Sequence, residues 1–298
     1  STPPTPWCAN PAAPAVVGMY GPLGNVDLVG PQRRGGNFID LPSGSDARER
    51  AALLFRQGLA QLYGFNQVEA LRNFRSAITL ADDCALCHWG VAMAFAPNIN
   101  YRVENQSAIN EAAGRAAALA SQQPGLTAKT RWLINATAQL AVPLSPPPPP
   151  DGHGSANRVA FMQAVCARAG PVDDADVAAF CAFASMAVSP WDYYTGEAAG
   201  TRYELKSFLV PVKARLLAAV RRGPGGGPHP LAIHLLIHML EPSTAPADFR
   251  WEALPPAELL FNGTSGVRGG ELVPSQGHLT HMPSHLFLRV GRYADGVA

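Results

Sequence analysis

Apolar residues recur at intervals of three and four along most of the chain, which is the spacing of one face of an α-helix. The first such stretch, ARERAALLFRQGLAQLY, follows Ser45 and Asp46, two residue types that favour a helix N-cap. The spacing continues through residues 110–123, 127–141, 158–169, 173–188 and 204–220. The pattern predicts an all-α fold over residues 46–298, with about two thirds or more of those residues helical and no sheet of more than two strands.

Residues 1–45 show no helical period and are rich in Pro and Gly. They are predicted to form an extended arm, with short strands around AVVGMY as the only regular structure. A second Pro-rich segment, residues 143–155, interrupts the helical pattern and is predicted to be a loop. The chain is therefore expected to consist of an arm, 1–45, and one helical array, 46–298.

The first two helices carry the residue pattern of a helical repeat. Gly58 in the first helix is followed by Ala70, Phe74 and Ala77 in the second. Small residues let two antiparallel helices approach closely, and the Phe fills the hole between them, as in the 34-residue tetratricopeptide repeat. The stretch LRVGRYADGVA at the far end has similar turn chemistry but stops after about one and a half helical turns. We therefore expect an irregular tetratricopeptide-like solenoid whose natural chain continues past residue 298, or whose end packs on another molecule.

Charge and hydropathy argue against two classes of partner. The 298 residues include 23 Lys and Arg and 22 Asp and Glu, so the net charge is +1. This balance provides no basic footprint for nucleic acid. No run of eighteen apolar residues occurs, so the sequence predicts no transmembrane segment.

Several features favour a secreted protein, located in a cell wall or matrix. The chain starts with STPPTPW, which is typical of an end left after removal of a signal peptide. Asn105, Asn135 and Asn262 each begin a glycosylation sequon. SPPPPP resembles the hydroxyproline-rich motif of plant and green-algal extensins, and that resemblance implies hydroxylation and glycosylation at five positions: Pro146, Pro147, Pro148, Pro149 and Pro150. Alternatively, the run is a stiff polyproline II spacer.

The five cysteines leave an odd thiol if disulfides form. Cys166 and Cys181 lie on two successive predicted helices, where a bridge would staple a helical hairpin. Cys84 and Cys87 are candidates for a local disulfide, and Cys8 would then be free to pair between chains. CALCH, residues 84–88, also matches the c-type haem attachment motif, with His88 as axial ligand. The disulfide is the simpler interpretation, because the stretch lies where the next helix should start.

Two stretches concentrate six of the candidate metal ligands. HLLIHMLE places His234, His238 and Glu241 on one helical face, and HLTHMPSH does the same for its histidines at positions 278, 281 and 285. Imidazole-rich sites suit Cu or Zn, with two metals or additional supporting histidines if all six residues take part: His234, His238, Glu241, His278, His281 and His285.

We expect the four histidines 234, 238, 281 and 285 to converge within about 4 Å, the span of two bonds to one metal. Pro283 is expected to place the second helix start near His281, leaving His278 in the preceding turn. His229, which stands before Pro230 at the helix entrance, is a weaker candidate. Asp192 could supply a carboxylate or, equally, cap a helix after Pro190. The spacing is not the HExxH metalloprotease motif, because no Glu follows His234 directly.

Four segments resemble a family of tetratricopeptide-repeat proteins: residues 64–100, SPWDYY, HPLAIHLLIHMLEPS and GHLTHMPSHLFLRVGRYAD. The resemblance covers roughly residues 50–298 and includes the family's HxxxHxxE and GHxxHMPSH motifs. It implies the helical-repeat fold and the location of a site, but no reaction.

Three functions remain open at this point. The first is an extracellular scaffold or assembly protein that carries the histidine metal site and self-associates through the arm and the last helix, in a fibre or other homo-oligomer. The second is an extracellular metalloenzyme, oxidative or hydrolytic, with Glu241 or Asp192 as acid or base. The third and weakest is a monohaem electron carrier using CALCH.

Overall fold

The computed structural model describes residues 46–100, 105–141, 156–167, 174–196, 204–220, 228–262 and 276–297. Helices account for 78% of these described residues, which confirms the all-α prediction. The predicted arm, Cys8 and the proline run at 146–150 lie outside the described residues.

Twelve α-helices are present in the described part of the chain. Their bounds are α1 Asp46–Tyr63, α2 Gln67–Leu80, α3 Ala85–Phe95, α4 Gln106–Gln122, α5 Ala128–Thr137, α6 Ala156–Ala167, α7 Ala175–Val188, α8 Val210–Ala219, α9 Pro230–Leu240, α10 Leu254–Asn262, α11 Gly277–Arg289 and α12 Tyr293–Gly296. Short 3-10 turns occur at Ala138–Ala141 and Ser207–Leu209, and a π-helical segment, Asp248–Ala253, leads into α10. The described strands, β1 Tyr194–Thr195 and β2 Glu204–Leu205, form one antiparallel pair.

Side-chain caps start several helices where the sequence changes from loop to helical spacing. Asn66, Asn105, Thr127 and Asp174 each accept a hydrogen bond from a backbone N–H in the first turn of the following helix. Such caps satisfy amides that have no partner inside the helix. The predicted helix starts therefore rest on local chemistry.

The helices at the N-terminal end approach one another closely around Phe74. The Phe74 ring lies against both Gly58 and Gly90, and a Cβ added at either glycine would come within 2.5 or 2.6 Å of that ring. From α1 to α5, each helix packs against the next one in sequence. In addition, α1 contacts α3, and α3 contacts α5. Phe74 therefore joins three helices, since Gly90 belongs to α3.

Helix α9 lies at the centre of the C-terminal half. Every residue from Pro230 to Leu240 is buried, and the helix contacts α1, α7, α8, α10 and α11. A helix that is apolar on all sides is normally buried on all sides. Any polar side chain on α9 must therefore find its partner inside the protein.

Two disulfides are present among the described cysteines. Cys166 is bonded to Cys181, which ties α6 to α7, and Cys84 is bonded to Cys87 at the start of α3. None of the described helices has both the length and the apolar character needed to cross a membrane.

Candidate metal centre

Helix α9 carries two histidines one turn apart on a single face. His234 and His238 are 0% and 2% exposed. Pro230 occupies the first turn, where its missing N–H costs nothing, and His229 caps the helix through Nδ1, which accepts from the Ala232 N–H. The cap and the buried setting fix the register in which the two imidazoles face the same neighbour.

The C-terminal end of α1 orients His234. His234 Nδ1 lies 2.7 Å from the carbonyl oxygen of Tyr63, the last residue of α1. Because a carbonyl oxygen only accepts, Nδ1 carries the proton and Nε2 keeps its lone pair. A carbonyl at a helix C-terminus also carries partial negative charge, which makes the imidazole a better donor of electron density to a metal.

The third member of the cluster comes from the first turn of α11. That helix begins at Gly277 and contains Pro283, so the expected start near His281 is wrong. His278 consequently lies inside the first turn, and its Nε2 is 3.1 Å from His234 Nε2. The Arg289 guanidinium donates to the backbone carbonyls of Glu241 and Ser243, which holds the other end of α11 against the end of α9.

The three Nε2 atoms form a compact group that could hold a metal ion. His238 Nε2 is also 3.1 Å from His234 Nε2, and one ring nitrogen from each of the three residues lies within 4.8 Å of the others. Two nitrogens bound at 2.0–2.1 Å to one ion are separated by about 2.9 Å at a right angle and about 3.3 Å at a tetrahedral angle. The observed 3.1 Å spacing falls between these values.

Hydrogen bonds between the three rings cannot satisfy all of their ring nitrogens. His234 Nε2 offers one lone pair to two neighbouring nitrogens, so it can accept from only one of His238 and His278. His238 Nδ1 is buried and has no hydrogen-bond partner in the described part of the chain. A buried imidazole with an unpaired nitrogen is costly, whereas a cation bound by all three lone pairs removes the conflict at Nε2.

Burial keeps the cluster in the protonation state that a metal needs. Burial, reinforced by the neighbouring imidazole of His278, lowers the pKa of His234 to about 3. Burial, reinforced by the neighbouring imidazole of His234, lowers the pKa of His238 well below its ordinary value, and burial lowers the pKa of His278. All three rings are therefore neutral near pH 7, with lone pairs available.

Two strained aromatic residues flank the cluster. Phe65 and Trp191 have φ values of 54° and 63°, and they are the non-glycine residues with positive φ in the part of the chain that the structure describes. The Phe65 ring centre lies 4.3 Å from that of His234, and the Trp191 ring stands edge-on to His238 at 4.9 Å. Left-handed backbone is unusual for bulky residues and tends to occur at functional sites, where the surrounding structure enforces it.

The remaining predicted ligands lie beside the cluster and outside it. His285 donates from Nδ1 to a Glu241 carboxylate oxygen at 2.9 Å, and its ring centre is 5.8 Å from that of His238. His281 is exposed, with its ring 4.9 Å from that of His285, and burial together with His285 lowers its pKa. The structure therefore brings His278 to the expected four-histidine site in place of His281 and His285.

Two weaker candidates have other partners. Asp192 accepts from Ser189 and pairs with Lys206, so its carboxylate is engaged away from the cluster. His229 Nε2 lies 3.1 Å from the buried carboxylate of Asp176, which also pairs with Lys129. His229 therefore anchors the start of α9 and does not serve as a ligand.

CALCH has the geometry of a helix start. Both thiols are joined in the disulfide, and Cys84 Sγ accepts from the Cys87 N–H as the cap of α3. The His88 ring lies 3.2 Å from the carbonyl oxygen of Asp82. Neither sulfur is available for a thioether bond, so the structure does not support the haem interpretation.

Sequence reasoning missed the contributions of Tyr63, Phe65 and Trp191. The Tyr63 contribution is a backbone carbonyl, which every residue type has, so the sequence does not indicate it. The left-handed backbone at Phe65 and Trp191 is imposed by tertiary contacts, which the sequence does not show. Only the break in helical spacing at Gly64 and the proline before Trp191 indicate that the chain turns at these points. No family model, curated protein or solved structure matches this chain.

Proposed function

We propose that this protein is an extracellular helical-repeat scaffold that holds one transition metal ion through His234, His238 and His278. The observation that carries the proposal is the convergence of three neutral imidazole nitrogens, with two spacings of 3.1 Å. The ion would join α9 to α11, and the α1 carbonyl that orients His234 would add a third helix. Metal binding would thus link parts of the chain that are far apart in sequence.

Cu and Zn are the ions that the donor set favours. Imidazole nitrogen suits both, while Mg and Ca prefer oxygen ligands. The four described cysteines are paired in disulfides, so none of these four offers a thiolate ligand. A site made of imidazoles in a chain with disulfides also fits an oxidising compartment.

Direct metal binding tests the proposal. Isothermal titration of the metal-free protein with Cu(II) or Zn(II) should give one ion per chain, and His278→Ala should weaken binding by at least about a hundredfold through loss of one of three ligands. His88→Ala removes a histidine that has no described contact with the cluster and should leave the affinity unchanged. Equal affinities for the native protein and His278→Ala would refute the site.

The scaffold role draws support from the helix packing. Neighbouring helices in sequence pack together, and the glycine-flanked Phe74 matches the tetratricopeptide-like pattern that we propose for the array. Helical-repeat arrays present long surfaces to peptides or to neighbouring copies. We further propose that copies associate through the N-terminal arm and the C-terminal helix. Light scattering at micromolar concentration should therefore give a mass of at least twice that of one chain, whose bare mass is 31.5 kDa.

Secretion and glycosylation belong to the same proposal. Asn105 and Asn135 are exposed, and capping by Asn105 uses its Oδ1, which leaves the side-chain nitrogen for a glycan. Intact-mass analysis of protein from its natural source should exceed the bare chain mass of 31.5 kDa. Peptide mapping should place the additional mass on Asn105, Asn135, Asn262 or the prolines at 146–150.

A metalloenzyme is the second candidate, and the ligand count favours it. Catalytic sites commonly use three protein ligands and keep a fourth position for water or substrate, whereas structural zinc sites use four. The cluster described here provides three. Cu-loaded protein should then oxidise ascorbate, or Zn-loaded protein hydrolyse an activated ester, faster than His278→Ala carrying the same total metal. If the native protein turns over substrate no faster than His278→Ala, the metalloenzyme candidate is refuted and the scaffold proposal stands.

A further inference from the structure

A second group of histidines connects the buried cluster to the protein surface. His234 and His238 are 0% and 2% exposed, the His285 side chain is 27% exposed, and His281 is exposed. Both outer histidines stand on α11, the helix that also carries His278. His278 itself is half-buried. Exposure therefore increases from the two buried rings on α9 to the outer ring of His281 on α11.

Adjacent rings in this series lie close enough for an ion to pass between them. Ring centres are separated by 4.9 Å between His281 and His285, and by 5.8 Å between His285 and His238. His281 also lies 6.3 Å from His278, which gives a second connection to the cluster. With metal–nitrogen bonds of about 2.0–2.1 Å, an ion held by one imidazole can bind the next before it leaves the first, after a small ring rotation.

Hydrogen bonds fix the free nitrogen of the middle ring. His285 Nδ1 carries a proton because it donates to the Glu241 carboxylate, so Nε2 keeps the lone pair that a metal requires. Glu241 adds negative charge next to that ring, which attracts a cation. His281 Nδ1 lies 3.3 Å from the Ser284 hydroxyl, which leaves its Nε2 unengaged by that contact.

The aromatic neighbours of the cluster offer no such steps. Phe65 lies against His234, His238 and His278, and Trp191 lies against His238. Aromatic faces provide no ligand atom that could replace the water molecules of an arriving ion. The imidazoles that lead outward from the cluster to the surface lie instead on α11.

We infer that His281 and His285, with Glu241, form the uptake path by which Cu(II) reaches the buried site. This inference rests on the proposed metal site, and it assigns the two outer histidines a kinetic role. The ion is captured at His281, passes to His285, and is then bound by the three inner rings. By microscopic reversibility, the same path serves for release, so loss of the path slows both directions and leaves the equilibrium affinity unchanged.

Stopped-flow mixing of the metal-free protein with glycine-buffered Cu(II) tests this path. Binding is followed by quenching of tryptophan fluorescence, because the Trp191 ring lies 4.9 Å from His238. His281→Ala, and the double variant His281→Ala/His285→Asn, should lower the association rate by about tenfold or more, while the dissociation constant stays within about twofold. His88→Ala is the matched control and should bind at the native rate, and circular dichroism should show native helix content for each variant.

The outcomes separate this inference from the proposed function. An unchanged association rate in the double variant would overturn the uptake path while the metal site stands. A fall in stoichiometry from two ions to one in the double variant would also overturn it, since the outer histidines would then hold an ion of their own. Absence of both Cu(II) and Zn(II) binding by the native protein would instead overturn the metal site itself, and the uptake path with it. A native protein that binds Zn(II) but not Cu(II) would overturn the uptake path alone.

Discussion

Acidification of the metal-free protein from pH 7 to pH 5 should lower its free energy of unfolding by about 2 kcal/mol or more. His234 is fully buried, and its pKa is lowered to about 3. In the unfolded chain the same imidazole titrates near 6.5. At pH 5 the unfolded chain therefore binds nearly one proton that the folded chain does not, and the difference is about 1.36 kcal/mol for each of 1.5 pH units.

The sign of this change in unfolding free energy follows from the order of the folded and unfolded pKa values of His234. Because the folded pKa lies below the unfolded one, the stabilising contribution of neutral His234 is complete above about pH 6.5 and is lost as the pH falls toward 3. His238 shifts in the same direction, so the figure for His234 alone is a minimum. The pKa of Asp176 is lowered to about 2, so the stabilising contribution of this carboxylate is fully present above about pH 4 and is lost only at lower pH. The interval from pH 7 to 5 therefore reports on the histidines.

Urea unfolding in the presence of a chelator, followed by far-ultraviolet circular dichroism, measures this change. His238→Gln should retain less of the pH dependence than the native chain, because one buried titrating ring is gone. His281→Gln is the control and should retain nearly all of it, since His281 is exposed. Unfolding free energies that agree within about 0.5 kcal/mol at the two pH values would show that the histidines are not buried as neutral rings.

Two further predictions concern packing and covalent structure. Gly90→Ala should destabilise the fold by about 1–3 kcal/mol in urea unfolding, since its Cβ would meet the Phe74 ring at 2.6 Å. The matched variant Gly114→Ala should stabilise the fold by about 0.5–1 kcal/mol, because its Cβ would meet nothing within 4 Å. The reverse order of these two variants would contradict the packing. Replacing both Cys166 and Cys181 by Ser should lower the free energy of unfolding by about 3 kcal/mol in the same assay, which is the value for a closed loop of 15 residues. An unfolding midpoint equal to that of the native protein would show that the bridge does not constrain the unfolded chain.

The helical fold was predictable from the sequence because apolar spacing and caps act locally. Asn66 and Asp174, for example, start helices at the positions where the spacing begins. The contact of Phe74 with Gly58 was also predictable, since a large residue opposite a small one is a local complementarity between adjacent helices. The contact between α9 and α1 was not, because a helix buried on all sides carries no pattern that identifies its neighbours.

The sequence predicted His234 and His238 in the converging four-histidine site but not His278, because Pro283 misplaced the expected start of α11. A proline favours the first turn of a helix, and this preference placed the expected start of α11 near His281. In the structure Pro283 lies in the helix interior, where it removes a backbone hydrogen bond at a cost of about 3 kcal/mol. Packing of α11 against α9 and α10, together with the Arg289 contacts to the end of α9, offsets that cost. The early start then brings His278 to the cluster and leaves His281 at the surface.

The strain at Phe65 and Trp191 connects the fold to the proposed site. Left-handed backbone at a bulky residue costs about 1–3 kcal/mol and persists only where other contacts enforce it. Both residues contact His238, and Phe65 also lies in the turn that follows Tyr63, whose carbonyl orients His234. Relaxing either turn would therefore move a ring or a carbonyl that sets the positions of the imidazole nitrogens. Strain of this kind is retained where geometry matters more than local stability, and here the geometry it maintains is the convergence of three lone pairs.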